Sequence, residues 1–149
     1  MSGLRISEGE WIVVCDGAKS LLLENKGDAK FPNLVTLSTR EQENPKTADQ
    51  GANPPGRVHS SASTERSAVE QTDWHDRAEQ EFLTSLVSDL NHAVEQGKVQ
   101  AVTIVAAPRA LGMMRPHYSK GLSALLANEI AKDYVGKPVH EIEKLLTGK

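Results

Sequence analysis

The sequence predicts an α/β fold: a mixed sheet in which a three-stranded antiparallel meander precedes strand–helix units, with helices covering the sheet. Three observations carry this. Two β-type apolar runs flank Asp16-Gly17, and a third, alternating run follows them. A stripe of apolar residues at helical spacing runs from Trp74. An almost continuous apolar stretch, "VQAVTIVAAP", comes directly after that stripe. Strands followed by alternating helix and strand are the order of a sheet with crossover helices.

The elements follow in turn. "WIVVCDGAKSLLLE" reads as strands Trp11 to Cys15 and Ser20 to Glu24. Asp-Gly between apolar runs is a strong hairpin signal, because glycine accepts positive φ without strain. "NLVTLSTREQ" alternates and is rich in β-branched residues, which predicts a third strand near a sheet edge. Residues 43–73 lose all periodicity and are dense in Pro, Gly, Ser, Asn and Gln. So long a structureless stretch in a compact domain is characteristically functional or disordered.

A helix is predicted from Trp74 to Gln96, with Ala78, Phe82, Leu86, Leu90 and Val94 on one face and Leu83 and Val87 widening it. Asp73 is placed to cap it, and Gly97 to close it. Val99 to Ala107 reads as a strand buried on both faces. A short helix over 109–115, a second over 119–128, a weak fifth strand "IAKDYV" and a terminal helix starting at Pro138 complete the chain. The terminal helix is expected to turn Val139, Ile142, Leu145 and Leu146 inward, with proline at its first position. The whole chain, 1–149, is expected to be one such domain. Strand order 3-2-1-4-5, which resembles ribonuclease H-like folds, fits the pattern. On that order Asp16 and Arg109 fall at the C-terminal edge where crossovers diverge, the usual ligand position in open α/β sheets.

Composition narrows the function classes. The chain has 149 residues, 38% hydrophobic and 25% charged, enough for one packed core. A net charge of -3 argues against a strongly basic nucleic-acid binder but permits a local basic patch. One cysteine, Cys15, excludes an internal disulfide and a four-cysteine zinc site. No stretch approaches the ~20 apolar residues of a membrane span, and no signal-peptide pattern opens the chain. No membrane insertion and a cytoplasmic location are expected.

Catalytic patterns are missing. Two-metal chemistry needs converging carboxylates; Asp16 ends a strand, yet the fourth strand ends in Pro108-Arg109. His75 lies beside Asp73 and Asp76 but has no histidine partner at i, i+4. The serines at 60, 61 and 63 lack a nucleophile elbow. No metal site, cofactor or catalytic residue is therefore assigned. Binding chemistry is better represented. Trp74 offers an indole face, and Arg57, Arg66, Arg77, Arg109 and Arg115 suit anions, with Gln71 nearby. Acidic neighbours Glu65, Glu70, Asp73, Asp76 and Glu79 make internal ion pairing the competing reading.

The blocks "WIVVCDGAKSLLL", "REQENP", "GRVHSSASTERSAVEQTDWHDRAEQEF" and "VAAPRALGMMRPHYSKGL" resemble the bacterial host-attachment protein family, over about Trp11 to Leu146. That family in turn is distantly similar to the middle domain of eukaryotic and archaeal peptide-chain release factors. The resemblance implies a related α/β topology, with a loop between meander and long helix that in release factors carries Gly-Gly-Gln into the ribosomal peptidyl-transferase centre. Gly-Gly-Gln is absent here; "DQGAN" at Gln50 and "EQTDW" at Gln71 lack paired glycines. The departure counts against peptidyl-tRNA hydrolysis and leaves contact with the ribosome or RNA as the expectation. The expected contact surface is Arg57, Arg66, Gln71, Asp73, Trp74, His75, Arg109 and Asp16. The host-attachment resemblance implies a second partner class, a protein linked to cell attachment.

Overall fold

A computed structural model describes residues 3–42 and 64–148, and side chains in the second stretch from residue 75 onward. The meander is β1 (Trp11–Cys15), β2 (Lys19–Asn25) and β3 (Leu34–Glu41). Helix α1 (Thr64–Glu95) leads to β4 (Val102–Ala106). Then come α2 (Pro108–Met114), a 3-10 turn (Arg115–His117), α3 (Lys120–Leu125), β5 (Leu126–Ile130) and α4 (Val139–Thr147). The five strands form one mixed sheet in the order β3-β2-β1-β4-β5, as the sequence predicts. β1 is parallel to β4, with Trp11 opposite Val102 and Cys15 opposite Ala106.

Alternation along the strands sends side chains to two cores. Val13, Cys15, Val102, Ile104 and Ala106 meet Phe82, Leu83, Leu86, Val87 and Leu90 of α1 on one face. Ile12, Val14, Leu21, Leu23 and Val105 meet Ile142 and Leu146 of α4 on the other. β4 is buried at all five positions, which explains its unbroken apolar run. Each fully buried Leu or Ile contributes about 1.5–3 kcal/mol relative to exposure, so these central contacts dominate the fold.

Several local expectations are corrected. α1 begins at Thr64, not Trp74. Residues 64–73 hold the helix formers Glu65, Arg66, Ala68, Glu70 and Gln71 but no apolar stripe, so periodicity could not reveal them. Asp73 is consequently inside α1 and does not cap it. At the other end Gly97, at φ +73°, closes the helix as predicted, with Lys98 N donating to Ala93 O and Gly97 N to Val94 O.

The fifth strand is Leu126–Ile130 instead of "IAKDYV", and α3 stops at Leu125. Ser119 caps α3 by accepting from Leu122 N at 3.0 Å. Leu122, Leu125 and Leu126 mimic a helical stripe, but backbone pairing of 126–130 with β4 overrides it. β4 itself starts at Val102, later than Val99. Pro138 takes the cap position before α4, one earlier than expected, and Leu145 is 45% exposed instead of inward.

Candidate functional site

The C-terminal ends of the parallel neighbours β1 and β4 carry Asp16 and Ala107, and a depression of about 270 Å³ opens there. It is lined by Asp16, Gly17, Ala18, Ala107 and Ala110, with Glu79 of α1 and Arg109 of α2 as its charged walls. Asp16 and Arg109 thus share one edge, as the strand order implies.

Asp16 organises the turn itself. Its Oδ1 accepts from Ala18 N at 2.8 Å and Lys19 N at 2.9 Å, while its own N–H donates to Lys19 O. The turn is thus an Asp-capped one, and Gly17 does not use positive φ. Its lack of a side chain matters for packing instead: a Cβ at 17 would stand 2.8 Å from Cγ and Cδ of Glu79, so glycine lets that flexible side chain lie against the turn. Gln42 fastens the end of β3 to the same turn, its N–H donating to Ala18 O at 2.7 Å and its Nε2 to Gly17 O at 3.0 Å. The chain therefore enters the 43–63 segment from the rim of this depression.

Arg109 bridges to α1. Its Nε donates to Glu79 Oε1 at 3.0 Å and one terminal nitrogen to Asp76 Oδ1 at 2.5 Å. The Glu79 hydrogen bond, then the charges of Glu79 and Asp76, raise the guanidinium pKa further. Ion pairing, the competing reading of these charges, describes Arg109. Asp16, Asp76 and Glu79 set three carboxylates against one guanidinium here, which makes the depression a poor phosphate cradle.

Beneath the edge, Cys15 is sealed in. Burial, followed by the negative charges of Asp16 and Asp133, pushes its thiol up to about 12, and its Sγ lies 3.6 Å from Met114 Sδ. A thiol so disposed is not a nucleophile at neutral pH. Among the described residues no three His, Cys, Asp or Glu side chains gather as metal ligands.

A second polar cluster braces β5. Arg115 donates to Glu129 Oε1 from Nε at 3.1 Å and from a terminal nitrogen at 2.9 Å, and Tyr118 Oη donates to Oε2 at 2.7 Å. Burial pushes the Glu129 carboxyl up, but hydrogen bonds from Arg115 and Tyr118 and the Arg115 charge outweigh it, so the net shift is downward. Burial and the bond to Glu129 push the Tyr118 phenol up. This cluster explains how a polar strand such as "LANEI" is held at the sheet edge.

Of the remaining expected contacts, His75 is half-buried on α1. Arg66, Gln71, Asp73 and Trp74 follow along the first turns of the same helix, where the backbone alone is described, and Arg57 lies outside the described residues. Sequence reasoning did not find the ion pair between Arg40 of β3 and Asp89 of α1, whose partners are 49 residues apart with no motif linking them. No helix among the described residues is long and apolar enough to cross a membrane.

Comparison with known proteins bears on this edge. The chain has no significant match among curated proteins. A family model, in contrast, matches residues 10–146, nearly the whole chain from the strand before the Asp16 turn to the last turn of α4. On that match the chain belongs to bacterial archaeo-eukaryotic release factor family 12.

Proposed function

We propose that this chain is a non-catalytic binding module, acting in the cytoplasm, whose 43–77 region contacts an anionic partner, with ribosomal RNA favoured. The supporting observation is membership of a release-factor family across residues 10–146. The lack of Gly-Gly-Gln argues for binding without peptidyl-tRNA hydrolysis. On this reading Arg57 and Arg66 supply phosphate contacts through planar, bidentate guanidinium groups, and Gln71, Trp74 and His75 supply stacking and polar contacts. Arg109, engaged by Asp76 and Glu79, positions α1 beside the Asp16 turn and holds the contact surface in place.

Pelleting with purified ribosomes over a salt series tests this. Replacing Arg57 and Arg66 with alanine should weaken binding and lower the dependence of log K on log salt by about one per arginine. Unchanged affinity and slope in a folded double variant would refute the assignment. Resemblance of "VAAPRALGMMRPHYSKGL" and its companion blocks to host-attachment proteins supports a second reading, a protein-binding factor in cell attachment. Recovery of the protein in the cell-surface fraction, without ribosome association, would favour that reading.

A further inference from the structure

Gln42 makes one bond more than the end of a strand needs. Its backbone N–H continues the β2–β3 ladder past Glu41 by donating to Ala18 O at 2.7 Å, a bond open to any residue but proline. Its Nε2 donates in addition to Gly17 O at 3.0 Å, which takes a side-chain donor of that reach. Inside the turn, Asp16 Oδ1 accepts from the N–H groups of Ala18 and Lys19. Asp16 thus satisfies the donors of the turn and Gln42 two of its carbonyls, so the turn and the end of β3 form one hydrogen-bonded unit.

That unit continues into the helices. The Glu79 side chain of α1 lies against Gly17. Glu79 Oε1 accepts from Arg109 Nε of α2 at 3.0 Å, and Arg109 also donates to Asp76 Oδ1. Contacts therefore run without a gap from Gln42 through Gly17, Glu79 and Arg109 to Asp76. The Arg109, Asp76 and Glu79 side chains are largely in solvent, and ion pairs of that kind add little to stability. Their effect is on geometry. The point where the chain leaves β3 and the stretch of α1 at Asp76 and Glu79 are both set against the same turn, and these are the two sides of the 43–77 region.

We propose that Gln42 is a positioning residue for partner binding: through the Asp16 turn it fixes the departure of the chain from β3 relative to the Glu79–Arg109–Asp76 bridge. The inference rests on the binding reading of the 43–77 region. Gln42 touches no partner in this role; it holds backbone in place beforehand and so lowers the ordering cost paid on binding. Gln42→Met keeps the length of the side chain and removes the donor. In pelleting with ribosomes over a salt series, this variant should bind about tenfold more weakly, the cost of ordering about one residue. Its dependence of log K on log salt should equal that of wild type, because no phosphate contact is lost. In the free protein the Arg109 Nε–H NMR signal should move, although Gln42 does not touch Arg109, and the urea midpoint should stay at the wild-type value. Equal affinity, a lowered salt slope, an unmoved Arg109 signal or a large drop in the urea midpoint would each overturn the assignment and leave the ribosome reading standing. Failure of the wild-type protein to pellet with ribosomes would overturn both.

Discussion

Replacing Asn25 should be among the most damaging single changes in this chain. Its side chain is fully buried at the end of β2. Nδ2 donates to Ile6 O at 3.0 Å, Ser7 O at 3.1 Å and Asp28 O at 3.2 Å, so two hydrogens serve three carbonyls. Oδ1 accepts from Gly27 N at 2.9 Å and Asn33 N at 2.8 Å. One amide thus joins the N-terminal segment, the end of β2 and the loop before β3. Counting about four effective bonds at about 1 kcal/mol each, Asn25→Ala should cost about 4 kcal/mol, a large part of the ~5–15 kcal/mol that holds a domain. With a urea m-value of about 2 kcal/mol/M, the midpoint falls by about 2 M. Asn25→Asp separates the donors from the acceptors. It keeps both accepted bonds but aims an anionic oxygen at three carbonyls, which raises its folded pKa above the ordinary aspartate value of about 4. A raised folded pKa means the protonated form is favoured, so the deficit relative to wild type is smallest below about pH 4 and widens as pH rises through the folded pKa. Urea unfolding at several pH values reads both effects. A loss under about 1 kcal/mol for alanine, or a pH-independent gap for aspartate, would show that the Asn25 amide does not hold these segments together.

Other outcomes follow from the site. Cys15, buried with its thiol pushed up to about 12, should react with a thiol reagent at pH 8 only at the rate of unfolding; prompt labelling of native protein would contradict its burial. Gly17→Ala should displace the Glu79 carboxylate by steric contact and release the Arg109 Nε–H, visible as an Arg side-chain NMR shift, with little stability change because exposed ion pairs contribute little. An unmoved Arg109 signal would show that the close approach imposes nothing. Glu129 has a depressed folded pKa, so its contribution is present above the ordinary glutamate range and is lost as pH falls through the lowered value. Glu129→Gln should therefore flatten the acid limb of the stability curve. Tyr118→Phe should remove a tyrosinate that appears, by ultraviolet absorbance, only when the protein unfolds in alkali.

The parts of the fold legible from sequence are those where burial imposes a period. β4 is apolar throughout because both its faces are covered, and α1 from Ala78 to Val94 carries one continuous stripe. Those two elements and the Asp16 hairpin form the centre of the order β3-β2-β1-β4-β5, which the sequence reached by adding a third strand and a misplaced fifth on the ribonuclease H-like pattern. Local signals failed where long-range contacts decide. Residues 126–130 are strand because β4 pairs with them and because Arg115 and Tyr118 satisfy Glu129. Residues 64–73 are helical on propensity and continuity with α1, without the apolar pattern that would announce it. Asp16 and Arg109 were brought to one edge by topology, yet the commitment of Arg109 to Asp76 and Glu79 is a matter of three-dimensional register.

Sedimentation in cell lysate tests the proposed ribosome-directed binding module. On sucrose gradients the protein should migrate with ribosomal particles at low salt and be released to the top of the gradient at high salt. Migration at the top under both conditions would contradict it.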